Sequence, residues 1–535
     1  MSTIDRTSVT HRLCTLPMML AVGALVRVVA LLGFEGDIHD GLTRIGTAAE
    51  WLRHGTPFFG RTVWPEGNYW IPIAALSVWG DPYWSPRIAY ALIGLSNVWL
   101  VYALANAVFG RRAAIVSGWI VAVLPYHVMV STNSAMSEAP YISLMLGAIL
   151  AVVRFRSRPS CSMAALAGVM LAAATSFRID GLVWGLPLAA SLLVFAVQNR
   201  IGARRTVTAL AVFGGLGLAF AVALFVRWYQ LYPNDPTYLL SEAKLNTQQF
   251  FVNGKHPRWP NSVYQTFVIV FWPLSLFVLL TPGVALLGFA GIARAVRDRV
   301  AATLPLILGM LTIWLWLSYA AYRHDILAQW RYALILALLL TAFVSSGVEV
   351  LVGNSRRISR TTVAAIVALL AIGTQAAVTV ATYRDSGSFT RQLSAISPIR
   401  PDQFSSRALL KWADSNLGTD QQLLVTPHAM EQAYLAMERG ALEKSGRVVV
   451  QSYFLPHSQL VHTRSSLESE LLQKLAVAQF VATSGSLREL GLRDGLTREL
   501  LQPTCAPDAR TACEWKSVRL QKIEQFGTTT LWKVL

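Results

Sequence analysis

The sequence predicts a polytopic α-helical membrane protein that ends in an extracytoplasmic α/β domain. Three observations carry this: the number of long apolar segments, the placement of arginines between them, and a change of composition near residue 384. The chain has 535 residues, 54% hydrophobic and only 14% charged, with a mean hydropathy of +0.46. A soluble domain carries about 25% charged residues. The length suits one large helical bundle plus one soluble domain.

About 20 apolar residues cross a bilayer as a helix. Eleven stretches qualify: 13–33, 86–108, 113–130, 137–153, 162–177, 181–198, 207–230, 263–293, 301–322, 330–352 and 361–383. Arg6 and Arg12 precede the first, as in a signal peptide. That run is long, however, and no small-x-small cleavage site follows, so a retained span is expected. Segment 263–293 contains Pro273 and Pro282-Gly283 and reads as one kinked span or as a span plus a surface turn.

The arginines give the orientation. One set of loops holds Arg111-Arg112, Arg154/Arg156/Arg158, Arg200/Arg204/Arg205, Arg294/Arg297/Arg299 and Arg356/Arg357/Arg360, with Asp298 as its one acid. The positive-inside bias places these loops and the N-terminus in the cytoplasm. An odd number of spans then puts the C-terminal domain outside the inner (cell) membrane, in a periplasmic or extracellular position. The net charge of +17 is spread over these short runs. They are orientation signals, and no nucleic-acid partner is expected.

The outer loops hold the polar chemistry. The first, 34–85, contains an amphipathic stretch, Asp40–His54, in which Leu42, Ile45, Ala48, Ala49 and Leu52 follow helical spacing. Such a helix is expected to lie along the membrane surface. Tyr69–Trp79 reads as an interfacial segment, and 231–262 is a second long polar loop. The tail, 384–535, has 18 basic and 15 acidic residues. Strands are expected at Gln421–Val425, Gly446–Val450, Gln479–Thr483 and Thr529–Val534, and helices at Phe404–Leu417, Met430–Arg439 and Ser465–Leu475. Cys505 and Cys513 either close a small loop as a disulfide, if the tail is outside the cytoplasm, or are free thiols.

No P-loop, dinucleotide fingerprint, His-Glu-x-x-His or Cys-x-x-Cys is present, so no nucleotide or metal motif supplies the chemistry. The remaining constellation lies on the outer face: Asp37, His39 and Asp40 after the first span, Glu66 later in that loop, Ser137-Glu138, Arg178 and Asp180, Arg258, Tyr322-Arg323-His324-Asp325, and Trp330-Arg331-Tyr332. Carboxylates at the mouth of a bundle of spans are costly to keep without a use.

Gly36-Asp37, the stretch Thr43–His54 followed by Pro57, Pro65-x-x-x-Tyr69, Arg87–Gly94, Phe109-Gly110-Arg111-Arg112, Ser137-Glu138, Arg178 before Gly181, and Arg331-Tyr332 together resemble the GT-C superfamily of polytopic glycosyltransferases. The likeness covers about residues 15–350 and is nearest the protein O-mannosyltransferase and lipid A aminoarabinose transferase branch. It departs from that branch at Ile38, where the mannosyltransferases tend to carry a second acid.

The resemblance implies a polyprenyl-phosphate-linked sugar donor and an acceptor that is a cell-envelope glycan, a lipid or a protein. It implies that Asp37 is the general base in an inverting displacement, and that the leaving phosphate needs positive charge rather than a proton. Arg178, Arg258, Arg323 and Arg331 are candidates for that charge, because guanidinium binds phosphate at two points. Glu138, Asp40 and His39 are candidates for a second acid, for acceptor contact or for a metal site. The sequence assigns no cofactor; a divalent cation held by Asp37, Glu138 and His39 stays open, since some members of the superfamily need one and others do not.

Each residue also has a plainer reading. Asp37 suits the solvated end of a span, Asp40 suits an N-cap of the 41–54 helix, and Glu138 suits first-turn helix charge. Arg178 and Arg331 suit interfacial anchoring. Two rival functions remain. An oligosaccharide ligase would want several arginines in a large outer loop, where 231–262 has Arg258 alone. A flippase or transporter for lipid-linked sugar would want polar residues in mid-span and internal symmetry.

Overall fold

In a computed structural model of the chain, the described residues are 16–33, 65–81, 84–132, 135–231, 261–326 and 328–353, with isolated positions between 41 and 52 and parts of 412–535. The helices are α1 (Leu16–Gly33), α2 (Gly67–Val78), α3 (Trp84–Phe109), α4 (Arg111–Val123), α5 (Pro125–Thr132), α6 (Glu138–Ser157), α7 (Cys161–Thr175), α8 (Gly185–Gln198), α9 (Ala203–Leu231), α10 (Asn261–Leu280), α11 (Pro282–Arg297), α12 (Leu304–Tyr322), α13 (Leu334–Thr341) and α14 (Val344–Gly353). Short 3-10 turns, Ile179–Trp184 and Trp330–Ala333, lead into α8 and α13.

Among the described residues six helices are long and apolar enough to cross a membrane, or eight if each of two bent pairs counts as one span. The α4–α5 pair bends by 56°, and the Trp330–Thr341 and Val344–Val352 pair by 52°. The first bend falls at Leu124-Pro125, where proline removes a backbone donor and clashes with a continuing helix. Segment 263–293 resolves into α10 and α11, which meet at Thr281 in the left-handed region (φ 70). The apolar helices α1 and α7 are shorter than a full span. Segment 361–383 lies outside the described residues.

Burial is uneven. In α6, 83% of the apolar window is covered by protein, against 11% in α9. The core runs along α6 through Met145, Leu146, Ile149 and Val152, and continues in Leu188, Leu192, Trp272, Leu306 and Leu334–Leu340. Charges suit the dipole of α6, with Glu138 in its first turn and Arg154 and Arg156 in its last.

Backbones approach most closely where α11 meets α14. A Cβ at Gly291 would run into the Phe343 carbonyl, and one at Gly347 into the Leu287 carbonyl. Arg294 crosses from α11 to Glu349 at 2.8 Å. Gly347→Val is expected to lower stability by about 1–3 kcal/mol through overpacking. Thermal unfolding in nanodiscs reads this as a lower Tm, and an unchanged Tm would argue against the contact.

The amphipathic stretch of the first loop is helical at Gly41, Arg44, Ile45, Ala48, Trp51 and Leu52. Of its apolar positions that are described, two are covered by protein and Leu52 stays exposed. Ile45 and Ala48 are buried, and so is Arg44, whose Nη1 donates to the Ala135 carbonyl (2.9 Å).

In the tail, β1 (Leu423–Val425), β2 (Val448–Val450), β3 (Phe480–Ser484), β4 (Cys513–Trp515), β5 (Val518–Phe526) and β6 (Thr529–Val534) form one sheet in the order β2-β1-β3-β6-β5-β4. The first three strands are parallel and the remaining pairs antiparallel. The four expected strands are present. The strands at 513–515 and 518–526 are additional; the polar alternation of Val518–Phe526 hides a strand whose covered positions are Val518 and Leu520. Trp412, in the expected 404–417 helix, meets Phe480 edge-on at 5.2 Å. The expected helices at 430–439 and 465–475 lie outside the described residues, as does Cys505.

Candidate functional site

Two connections bring the site together. The turn after α7 carries Arg178, and the 3-10 turn before α13 carries Arg331. Both arginines reach Glu138 at the start of α6, which is 2% exposed. Arg178 Nη1 lies 3.4 Å, and Arg331 Nε 3.5 Å, from the same oxygen, Glu138 Oε1. Ser137 Oγ donates to the other, Oε2, at 3.3 Å.

Arg178 is fixed from several sides. Its Nε donates to Asp180 Oδ1 (3.0 Å) and its Nη2 to Oδ2 (2.9 Å), a forked pair. Its Cζ lies 4.3 Å from the centre of the Tyr332 ring and 5.4 Å from that of Tyr141. Arg331 Cζ lies 5.2 Å from the same Tyr332 ring. Tyr141 is held in turn by Trp184 Nε1, which donates to its hydroxyl at 3.1 Å. Burial disfavours the Arg178 charge, but Asp180 and Glu138 more than offset this and keep the guanidinium protonated. The two arginine side chains keep 14% and 18% of their surface open, so an anion can reach them.

The first outer loop is pinned to the Arg178 turn. The Gly67 amide donates to the Ser176 carbonyl (2.9 Å). Asn68 Nδ2 donates to the carbonyls of Phe177 (2.9 Å) and Pro65 (3.0 Å). A Cβ at Gly67 would lie 2.6 Å from the Ser176 carbonyl oxygen, so only glycine allows the approach. Gly67→Val is therefore expected to displace Arg178 and lower activity about tenfold or more, the scale of a small misplacement of a positioned group. Steady-state transfer rates on folded variant check this.

Among the candidate residues, Glu138, Arg178 and Arg331 converge. Arg323 caps the end of α12 and shows no ion pair with Glu138 among the described residues. Its neighbour His324 stacks on Tyr264 (5.4 Å), and burial pulls its pKa below the usual imidazole value against the opposing pull of Asp325. Asp37, His39, Asp40 and Arg258 lie outside the described residues. Among those described, no group of three or more His, Cys, Asp or Glu side chains is placed to hold a metal. Glu138, between two guanidiniums, does not suit a divalent cation.

Sequence reasoning passed over Arg44 and Tyr141. Arg44 had a visible signal, since it shares the helical face of Gly41, Ile45 and Ala48. It also passed over Arg27, His127 and Asn97, which form a polar network inside the bundle, all 1% exposed or less. A transporter would want polar residues of this kind, but here every Arg27 nitrogen is engaged within the protein.

Residues 65–229 match the family model for dolichyl-phosphate-mannose-protein mannosyltransferase. Of solved structures, ArnT from Cupriavidus metallidurans bound to undecaprenyl phosphate superposes with a TM-score of 0.58 at 14% identity, over 96% of this chain and 97% of that one. The chain has the GT-C fold. The archaeal oligosaccharyltransferase AglB from Archaeoglobus fulgidus, in complex with an inhibitory peptide and a dolichol-phosphate, matches with a TM-score of 0.50 at 12% identity, over 88% of this chain and 70% of that one. YycA of Bacillus subtilis (strain 168), provisionally named a mannosyltransferase, is 25% identical over 172 residues. That alignment covers 30% of this chain and spans 24% of the relative's length. The GT-C resemblance read from the sequence is borne out.

Proposed function

We propose that this GT-C protein is a membrane glycosyltransferase that moves a sugar from a polyprenyl-phosphate donor to an extracytoplasmic acceptor. One observation carries the reading: two partly open arginines, held rigidly by Glu138, Asp180 and the Tyr332 ring, stand at the start of a buried helix in a fold shared with an undecaprenyl-phosphate-bound enzyme. Phosphate is the group that such guanidiniums recognise.

In this reading Asp37 takes the proton from the acceptor hydroxyl. The acceptor oxygen bonds to the anomeric carbon as the bond from that carbon to the phosphate oxygen breaks. The polyprenyl phosphate leaves with the electron pair, its charge met by Arg178 and Arg331, with Arg258 and Arg323 as further candidates. Attack opposite the leaving group inverts the configuration. Residues 1–383 form the catalytic module, and the α/β tail, 384–535, lies outside the inner membrane and helps select the acceptor. The acceptor is an envelope glycan, a lipid or a protein.

The test uses purified protein in proteoliposomes with radiolabelled polyprenyl-phosphate mannose, arabinose or glucose plus membrane extract. Label is expected in an acceptor from one of the donors. Movement of donor across the bilayer without transfer, from every sugar tried, would replace this reading with a flippase.

A further inference from the structure

The second polar centre lies inside the helical bundle. Arg27 is in the apolar helix α1, 1% exposed. An arginine in mid-span is expensive and must find partners within the protein. All its nitrogens are engaged: Nε donates to Ser131 Oγ (3.1 Å), Nη1 to the carbonyls of Gly23 (2.9 Å) and Ala122 (3.3 Å), and Nη2 to the Gly94 carbonyl (3.4 Å) and His127 Nδ1 (2.9 Å). None of these partners is a carboxylate. With no open face and no unused donor, the guanidinium is not a transport site.

The partners explain why it is there. Ala122 is in the last turn of α4, whose carbonyls have no continuing helix because Pro125 begins α5. In a bilayer an unsatisfied carbonyl has no water to turn to. A cation at a helix C-terminus also meets the negative end of its dipole. Arg27 thus caps the broken helix and ties α1, α3, α4 and α5 together. A Cβ at Gly94 would run into the Ser131 side chain and lie 3.0 Å from Arg27 Nε, so glycine opens the room for Ser131 and the guanidinium it accepts from.

The network continues to the candidate site. Arginine only donates, so the neutral His127 ring accepts at Nδ1, and its Nε2 packs 3.3 Å from Asn97 Nδ2, a contact between two donors and not a hydrogen bond. Asn97 Nδ2 donates to the Ala139 carbonyl (3.2 Å), and Ser143 Oγ donates to Asn97 Oδ1 (2.5 Å). Ala139 follows Glu138, and Ser143 is one turn further along α6.

We propose that Arg27 is a positioning residue that, through His127 and Asn97, fixes the start of α6 and so the Glu138 carboxylate facing Arg178 and Arg331. Its kinetic consequence rests on the transferase reading; its structural consequence does not.

The test compares wild type, Arg27→Met and Arg27→Lys in nanodiscs by amide hydrogen exchange and by transfer kinetics. Arg27→Met is expected to raise exchange in residues 125–143 while 334–341 keeps wild-type protection. Arg27→Lys, which keeps the charge but loses the fork, is expected to recover part of that protection. Wild-type exchange over 125–143 in Arg27→Met overturns the proposal whatever the activity. If Arg27→Met loosens the whole bundle, Asn97→Leu carries the test: faster exchange confined to 138–143 supports the proposal and an unchanged rate overturns it. In kinetics, kcat is expected to fall at least tenfold, and Arg27→Met to add little in a Glu138→Gln background. Fully additive effects overturn the link to Glu138. Absence of transfer by the wild type with every donor overturns the transferase reading alone, and the exchange result still decides the positioning role.

Discussion

Glu138→Gln is expected to lower kcat/KM for transfer about 1,000-fold, equivalent to about 4 kcal/mol. Glutamine keeps the volume but replaces one carboxylate oxygen with a donor. Glu138 Oε1 now faces two guanidinium donors, at 3.4 and 3.5 Å. An amide turned either way leaves those guanidiniums with a weaker acceptor or a like donor. Removing one partner from a buried ion pair costs about 3–5 kcal/mol because the other charge is left behind. The partial exposure of Arg178 and Arg331 reduces the share of this that appears as lost stability. What is lost is their aim. Both the donor KM and kcat are therefore expected to worsen, and Glu138→Asp to recover neither fully. Kinetics on variants that elute as folded protein check this; a loss under tenfold would remove Glu138 from the site.

Asp37→Asn is expected to have a comparably large effect with a different signature. General-base catalysis contributes about 100- to 10,000-fold, and asparagine cannot take a proton. The loss is expected in kcat, with the donor KM nearly unchanged, because the base acts on the acceptor hydroxyl and makes no contact with the leaving phosphate. The geometry around Glu138 favours this division of labour. Its oxygens are occupied by Arg178, Arg331 and Ser137, so it is poorly placed to accept a proton from substrate. Retained transfer in Asp37→Asn, measured with the same donor and extract, would overturn the base assignment and return attention to the other outer-face acids.

The six to eight spans among the described residues were legible because apolar length is a property of segments, averaged over many residues. The convergence of Glu138, Arg178 and Arg331 was partly legible: topology put them on one face, but nothing in the sequence brought α6, the Ile179–Trp184 turn and the Trp330–Ala333 turn to one oxygen atom. Asp180 as the clamp on Arg178 was visible only as a neighbour two positions on. Arg27 was illegible for a physical reason. One arginine in Leu16–Gly33 barely alters the apolar character of the stretch, and its partners lie 67 to 104 positions away, apart from its own-turn Gly23. The break at Thr281 was half legible: Pro282-Gly283 marked it, but only the left-handed backbone there divides α10 from α11. The strand Val518–Phe526 was missed because its Arg519, Gln521, Lys522, Glu524 and Gln525 mask the period-two pattern.

The 11% coverage of α9 has a practical meaning. Three glycines on it, Gly214, Gly215 and Gly217, have nothing within reach of a Cβ, so the helix surface there is as smooth as the neighbouring contacts are few. Its hold on the rest of the bundle comes from α7 and α8, where Gly168 lets the Phe213 backbone approach. Among the described residues the rest of its perimeter is left open to acyl chains. The annulus of native lipid is thus a working component of the molecule along this edge. Micelles that strip the annulus are expected to loosen residues 203–226 first, long before the helix that begins at Glu138. Extraction medium will then decide how much of the molecule a preparation retains.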